Sequence, residues 1–268
     1  MKKKVVIFCA VLTTLSLTAF GVINWNSSES NTIDTTLSAE VVSYDPVIEK
    51  IQKPVFTDFI YSIGPRFGGI TKGVIENAKS IDAILNEDQL QRIMSLKSVE
   101  IIIIKDEKQS EIRVKGFSRV FTDAQLKLLQ TFDYSTNFSI RAEYEHYNKE
   151  TGELENSYST PYHTIVPESQ ASYSEGKEAL MTFLKDETVD VTAIIDAKKL
   201  RPAKLYFTVT KSRTIDHVKI DNPSGYPEVD KKMIELISKL PGTWTPAENA
   251  NGEKVDQELV VSFGLMGC

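Results

Sequence analysis

The stretch Lys204-Leu-Tyr-Phe-Thr-Val-Thr210 decides the fold of the last third of this 268-residue chain. Its apolar side chains at Leu205, Phe207 and Val209 alternate with residues that face the other way. Strict alternation is typical of a strand with one buried face, so this stretch is predicted to be a β-strand. A short polar turn follows, and the residues from Thr214 to Ile220 are predicted to form the second strand of a hairpin.

Helical patterns flank this hairpin on both sides. Pro227 opens the downstream helix, where its missing N–H costs nothing because the first turn has no partner for that group. The helix carries one apolar stripe, formed by Val229, Met233, Leu236, Ile237 and Leu240. An upstream helix from Glu175 to Lys185 and a last strand from Gln257 to Phe263 complete the unit. The sequence therefore predicts an α+β domain over residues 173–268, with a three-stranded antiparallel sheet and helices.

An ordered set of residues punctuates these elements. The set comprises Ser224, Gly225, Pro227, Asp230, Trp244, Pro246 and Gly252. Together with the strands before and after it, this pattern resembles the C-terminal domain of TonB energy transducers, over Tyr173 to Phe263. We expect structural roles for these residues. Trp244 should pack on the helix stripe, the glycines should supply backbone angles that a Cβ would strain, and Pro246 should fix a turn.

The resemblance implies a binding role for the terminal strand. In the TonB family an extended receptor peptide, the TonB box, docks at a sheet edge, where unpaired N–H and C=O groups are free. The corresponding edge strand here comprises Glu258, Leu259, Val260, Val261 and Ser262. Glu258, Val260 and Ser262 are expected to face away from the core beside such a peptide. The alternative is that the protein's own tail or a second copy closes this edge.

Three departures from the family pattern keep two hypotheses open. Arg213 stands in the hairpin where the family usually has glycine, the N-terminal apolar segment contains no histidine, and there is no long proline-rich spacer. The first hypothesis is binding of outer-membrane receptor peptides in TonB-dependent transport, with an ExbB/ExbD-type motor as a candidate second partner. The second is a periplasmic structural adaptor with a TonB-like fold and no energy-transducing role.

The N-terminus directs the chain to a membrane. Lys2 to Lys4 precede an uncharged apolar run over residues 5–23, which predicts cytoplasmic lysines and a periplasmic remainder. That run spans roughly 28 Å as a helix, so it is predicted to anchor the protein in the inner membrane. Cleavage near Ala19-Phe20-Gly21 is the alternative, in which residues 1–25 act as a signal segment. Residues 26–54 are predicted to be a flexible tether.

Residues 55–168 show the patterns of a second α+β domain. The run from Ile101 to Ile104 is apolar without alternation, which predicts a strand covered on both faces. Thr122 and Gln125 fit a capping box at the start of a helix. With hairpins on either side of that helix, the region faintly resembles the last periplasmic domain of the gliding-motility protein GldM.

Composition and motifs argue against nucleic-acid binding and against catalysis. The formal net charge is −6, whereas a nucleic-acid footprint needs a positive surface. The three histidines, His146, His163 and His217, are isolated, and the sequence has no metal, nucleotide or nucleophile motif. Carboxylates around the second hairpin are predicted to form a solvated face: Glu143, Glu145, Glu150, Glu153 and Glu155. The protein is therefore expected to be no enzyme and to use no cofactor.

Overall fold

Two main β-sheets, two short two-stranded ribbons and packed helices make up residues 59–265, the part of the chain that the computed structural model describes. The strands are β1 (Ile60–Gly64), β2 (Gly68–Thr71), β3 (Ser95–Lys105), β4 (Lys108–Gly116), β5 (Asn137–Tyr147), β6 (Leu154–Ser159), β7 (Tyr162–Val166), β8 (Ser172–Tyr173), β9 (Ala203–Val209), β10 (Ile215–Asn222), β11 (Trp244–Thr245), β12 (Ala247–Glu248), β13 (Lys254–Val255) and β14 (Gln257–Gly264). The α-helices are α1 (Lys72–Asn77), α2 (Glu87–Gln91), α3 (Asp123–Leu129), α4 (Lys177–Glu187), α5 (Val189–Thr192) and α6 (Pro227–Ser238). The ribbons pair β8 with β11 and β12 with β13. The fold class is α+β, as predicted, with more strand than helix.

The smaller sheet has the strand order β1–β14–β9–β10, and every neighbouring pair is antiparallel. Three of these strands, β9, β10 and β14, are those predicted for the C-terminal half. β1 lies in the range predicted for the middle domain, yet it pairs with β14 from Ile60↔Gly264 to Gly64↔Val260. It joins this sheet because Phe59 and Ile63 bury their side chains in the same core.

The apolar stripe of α6 and the inner face of the smaller sheet form one core. Val229, Met233 and Ile237 of the helix lie in the same buried cluster as Leu205 and Phe207 of β9. The helix begins at its proline, as predicted, and α4 adds two further buried leucines to the cluster. Burial of large apolar side chains is therefore what holds the C-terminal half together.

The larger sheet has the strand order β2–β7–β5–β3–β4, with β6 paired to β5 next to β7. Ile101 and Ile102, which point to opposite faces of β3, are both fully buried, as predicted for this run. Thr122 and Gln125 form the predicted capping box at α3, with N–H···O distances of 3.2 and 2.9 Å. The sequence predicts one strand over residues 157–166 as the second arm of a long hairpin. Pro161 instead divides this arm into β6 and β7, because a proline has no N–H for the ladder.

The predicted anchor or signal segment, residues 1–25, and the predicted tether, residues 26–54, lie outside the described residues. Among residues 59–265, no helix is long and apolar enough to cross a membrane. All described residues belong to one compact unit.

Candidate functional site

The Ser224-Gly225 turn holds the start of α6. The Ser224 N–H donates to Asp230 Oδ1 at 3.0 Å, and the Ser224 hydroxyl oxygen accepts the N–H of Tyr226 at 3.1 Å. Gly225 has a φ of 87°, and a Cβ there would lie 2.7 Å from the carbonyl oxygen of Lys199. These contacts give the serine, the glycine and the aspartate of the family pattern structural roles.

Trp244, Pro246 and Gly252 also have structural roles. The Trp244 ring is buried, with its centroid 5.6 Å from the ring centroids of both Tyr173 and Phe207. Pro246 is buried between β11 and β12. Gly252 has a φ of 74° in the turn before β13, a conformation that favours glycine.

Arg213 adopts a left-handed backbone conformation, which favours glycine. Its φ is 70°, and its N–H donates to the Thr210 carbonyl at 2.9 Å. The Thr210 N–H donates in turn to the Thr214 carbonyl at 2.9 Å, which closes the hairpin. A left-handed backbone costs a residue with a side chain roughly 1–2 kcal/mol. The turn therefore still favours glycine, and the arginine adopts it under strain.

The edge of β14 that the sequence assigns to a partner peptide is occupied by β1. β1 pairs with β14 from Val260 to Gly264, while β9 pairs with its other side from Gln257 to Phe263. The prediction of a free edge at Val260, Val261 and Ser262 is therefore wrong. The chain itself closes this edge, with an upstream strand in place of the C-terminal tail, because the apolar face of β1 completes the core of the sheet.

The outward face of β14 is covered as well. Val260 is 5% exposed, and burial raises the pKa of the half-buried Glu258 carboxyl above its usual range. Leu259 and Val261 point into the core. Tyr206, the cross-strand neighbour of Val260, is bonded to the turn between β3 and β4. Glu258 and Val260 do face away from the core of the smaller sheet, as expected, but Val260 is not open to a peptide, because it is buried and the turn between β3 and β4 lies against this face.

Glu107 joins the two sheets through three side chains. With Asp106 it forms the two-residue turn between β3 and β4, where φ values of 47° and 62° match a type I′ turn. Its carboxylate accepts hydrogen bonds from the Arg66 guanidinium, from Lys204 Nζ at 3.0 Å and from the Tyr206 hydroxyl at 2.9 Å. These hydrogen bonds lower the pKa of the Glu107 carboxyl to about 2, and those from Arg66 contribute most. Because Lys204 and Tyr206 belong to β9, this contact ties the larger sheet to the smaller one.

A cavity of about 420 Å³ lies at the end of β1. Its lining includes Ile63, Pro65, Tyr173, Leu180, Trp244 and Leu259. The ladder between β1 and β14 stops at Gly64↔Val260, so no described strand pairs with Leu259 on that side. Trp244 Nε1 is buried and has no hydrogen-bond partner among the described residues. An apolar recess thus adjoins a short open stretch of strand edge, which the sequence does not reveal because it depends on where β1 docks.

A larger cavity, of about 1230 Å³, lies beside α2 and the β5–β6 hairpin. The acidic face predicted around this hairpin is accessible to solvent, and its half-buried members Glu143 and Glu145 pair with Lys115 and Lys97. Within residues 59–265, no group of three or more His, Cys, Asp or Glu side chains could hold a metal ion.

The order of elements in residues 203–264 follows the pattern on which the TonB resemblance rests: strand, hairpin, Ser-Gly turn, helix, Trp-x-Pro turn and strand. That resemblance rests on the residues quoted above alone, without a measured similarity to any protein. In comparisons with protein-family models, with curated proteins and with solved structures, nothing matches this chain.

Proposed function

We propose that this chain is a periplasmic adaptor that binds protein partners through a TonB-like C-terminal half and does not transduce energy. The observation that carries the proposal is the closure of β14, which β1 covers from Val260 to Gly264. A module that receives a receptor peptide by strand addition needs a free edge, whereas this edge belongs to the protein's own core. The basic residues and the apolar run at the N-terminus support export to the periplasm, with residues 5–23 as the inner-membrane anchor.

A second candidate function is docking of a TonB-box peptide from an outer-membrane receptor, with β1 displaced. The cavity beside Leu259 favours it, because the open stretch of β14 continues past the end of β1. β1 presents Phe59, Tyr61 and Ile63 to the core at every second position. A peptide in the same register would present one further inward side chain, opposite Leu259, and the cavity has room for it.

Displacement of β1 makes such docking costly. Phe59 and Ile63 would leave the core, at about 1.5–3 kcal/mol for each side chain. The hydrogen bond between the hydroxyls of Tyr61 and Thr188 would also break. The receptor peptide would therefore bind at least about a hundredfold more weakly than it would to an open edge.

Titration of labelled TonB-box peptides from the same organism's receptors separates the two functions. The proteins to compare are the full-length chain and its Ile63→Ala variant. The adaptor proposal predicts that neither protein binds at concentrations up to millimolar peptide. Receptor docking predicts binding that is at least about tenfold tighter in Ile63→Ala, because the loss of buried methylene groups weakens β1 by about 2 kcal/mol or more.

Ile81→Ala is the matched control, since Ile81 is equally an isoleucine in a core but lies under the larger sheet. It should bind peptide as the wild type does, and tightening in both variants would indicate general loosening of the fold. Cross-linking of the full-length chain in native membranes tests the adaptor proposal directly, because it captures the protein partners. Capture of receptors or of motor proteins alone would contradict the adaptor proposal.

A further inference from the structure

Strand β6 lies at an open edge of the larger sheet. Among the described residues its only ladder partner is β5, from Ala142↔Ser159 to Tyr147↔Leu154. β2 covers the corresponding side of the sheet only from Gly68↔His163 onward, beyond the break at Pro161. A run of six residues, Leu154–Ser159, is therefore available to a further strand.

The hydrogen bonds at the two ends of this ladder show which main-chain groups are free. The Ile140 N–H donates to the Pro161 carbonyl at 3.2 Å, and the Asn148 N–H donates to the Glu153 carbonyl at 2.9 Å. Both bonds fall on even-numbered residues of β5, and hydrogen-bonded pairs alternate with non-hydrogen-bonded pairs in an antiparallel ladder. The β6 residues opposite odd-numbered positions of β5 therefore point their N–H and C=O groups outward. These residues are Leu154, Asn156 and Tyr158.

Two of these three outward positions carry large apolar side chains, which is unusual for an exposed edge. Leu154 is 54% exposed and Tyr158 is 62% exposed, and Tyr147, the ladder partner of Leu154, is 56% exposed. The Arg141 guanidinium lies over the Tyr158 ring, 4.5 Å from its centroid. Proteins commonly protect open edges with charges or prolines, and the outward positions of β6 have neither.

We propose that β6 pairs antiparallel with β6 of a second copy of this chain, about a two-fold axis at Asn156. Leu154 of one copy then lies opposite Tyr158 of the other, and Asn156 lies opposite Asn156. All three outward residues take part, which gives about six main-chain hydrogen bonds between the copies. The two larger sheets become one continuous sheet across the axis.

In this register the main-chain groups and the apolar side chains of β6 match those of β6 in the second copy. A shift by one residue would oppose an outward main-chain group to an inward one, and a shift by two would separate Leu154 from Tyr158. On the other face Glu155 lies opposite Ser157 and Glu153 lies opposite Ser159, so no like charges meet directly. Lys97 Nζ donates a hydrogen bond to the Asn156 side chain at the axis, and its charge is paired with Glu145. The apolar pair and the absence of directly opposed like charges along the strand favour a second copy over an unrelated strand.

A cysteine at the axis tests the proposal in the full-length chain, purified in detergent, with Cys9→Ser and Cys268→Ser as background. In a hydrogen-bonded antiparallel pair the Cα atoms lie about 5.5 Å apart, which is within disulfide range. Asn156→Cys is expected to form covalent dimers under mild oxidation. Glu111→Cys, on the other open edge of the sheet at β4, is the matched control and should remain monomeric.

Tyr158→Pro in the Asn156→Cys chain removes one outward N–H and leaves every main-chain hydrogen bond to β5 in place, although the ring contact with Arg141 is lost. It is expected to reduce cross-linking at least about tenfold, whereas Tyr158→Phe should retain it. Far-UV circular dichroism of each variant establishes that it is folded. The proposal is overturned if Asn156→Cys cross-links no more than Glu111→Cys. It is also overturned if a folded Tyr158→Pro variant cross-links as well as its parent.

Discussion

Gly225 is subject to two constraints, and Gly252 to only one of them. Both have positive φ values, 87° and 74°, which side chains of L-residues strain to adopt. A Cβ at Gly225 would also lie 2.7 Å from the Lys199 carbonyl oxygen, whereas nothing lies within 4 Å of a Cβ at Gly252. Because a backbone oxygen cannot rotate away, the two glycines separate conformational strain from steric conflict.

Gly225→Ala is therefore expected to lower the free energy of unfolding by about 3 kcal/mol or more, and Gly252→Ala by about 1–2 kcal/mol. The measurement is urea denaturation of residues 59–265, followed by the fluorescence of Trp244, the single tryptophan in that range. Arg213→Gly should shift stability the other way by up to about 1 kcal/mol, since glycine relieves the strain but loses more entropy on folding. Equal losses for the two alanine variants would show that the Lys199 contact relaxes.

The structural roles of such glycines, and of prolines and capping residues, could be predicted from the sequence. The contacts of Glu107 could not. Glycine, proline and capping residues act on their immediate neighbours, so their spacing carries the information. Glu107 looks like an ordinary residue of a polar turn, and its partners Arg66 and Lys204 lie far away in the sequence. Nothing in the local pattern distinguishes it from the solvated acids around the other hairpin.

At the scale of elements, the β3–β4 hairpin is held against the smaller sheet by one carboxylate, and this makes the attachment sensitive to pH. The folded-state pKa of Glu107 is about 2, below its ordinary value of 4.5. A depressed pKa means that the stabilisation is fully present above pH 4.5 and is lost as the pH falls towards 2. Glu107→Gln is expected to lower the free energy of unfolding by about 1–3 kcal/mol at pH 7. Urea titrations of both proteins between pH 7 and pH 2 should converge at the acidic end.

Glu111→Gln is the control for this pH dependence, because Glu111 lies on the same hairpin and its side chain is 99% exposed. Its effect should stay below about 0.5 kcal/mol at every pH. A Glu107→Gln deficit that persists unchanged to pH 2 would mean that shape and not charge holds the hairpin.

The periodic spacing of apolar residues predicted most strands and the helix of the smaller sheet, but it did not predict which strands lie side by side. The strands β9, β10 and β14 and the helix α6 follow the bounds expected from their apolar periods within a few residues. The spacing of Phe56, Phe59, Tyr61 and Ile63 likewise predicts a strand that ends at Gly64-Pro65, where β1 lies. Apolar residues at every second position show which face of a strand is buried, but they do not show which strand lies beside it. For this reason the occupant of the β14 edge, and the cavity beside it, could not be predicted.

At the scale of the whole molecule, β1 and Glu107 link the two halves, so residues 59–265 are expected to unfold as one cooperative unit. Ile81→Ala, in the core of the larger sheet, should lower the free energy of unfolding by about 2–4 kcal/mol. It should also lower the urea midpoint reported by Trp244, which lies in the other half. Val120→Ala, at an exposed position of the same half, is the control and should have little effect.

The sequence predicted two separate domains, over residues 55–168 and 173–268, and that division makes the opposite prediction. If the halves fold independently, Ile81→Ala leaves the Trp244 midpoint unchanged and produces a separate early transition in circular dichroism. Composition and periodicity indicate where chain segments are globular, but they do not show how strongly two such segments are coupled.

The register of β1 on β14 also determines how the protein responds to mechanical force. Ile60, the first residue of β1, lies opposite Gly264, the last residue of β14, so both ends of the described chain leave the sheet side by side. A pull that separates these ends loads the ladder one residue pair at a time, beginning at Ile60↔Gly264, instead of shearing all pairs together. We expect β1 to peel away at low force, because its ladder opens pair by pair while β9 holds β14 on the other side. In a chain tethered at the membrane as proposed, tension from a partner at the C-terminus would uncover the edge from Val260 to Gly264, and relaxation would cover it again.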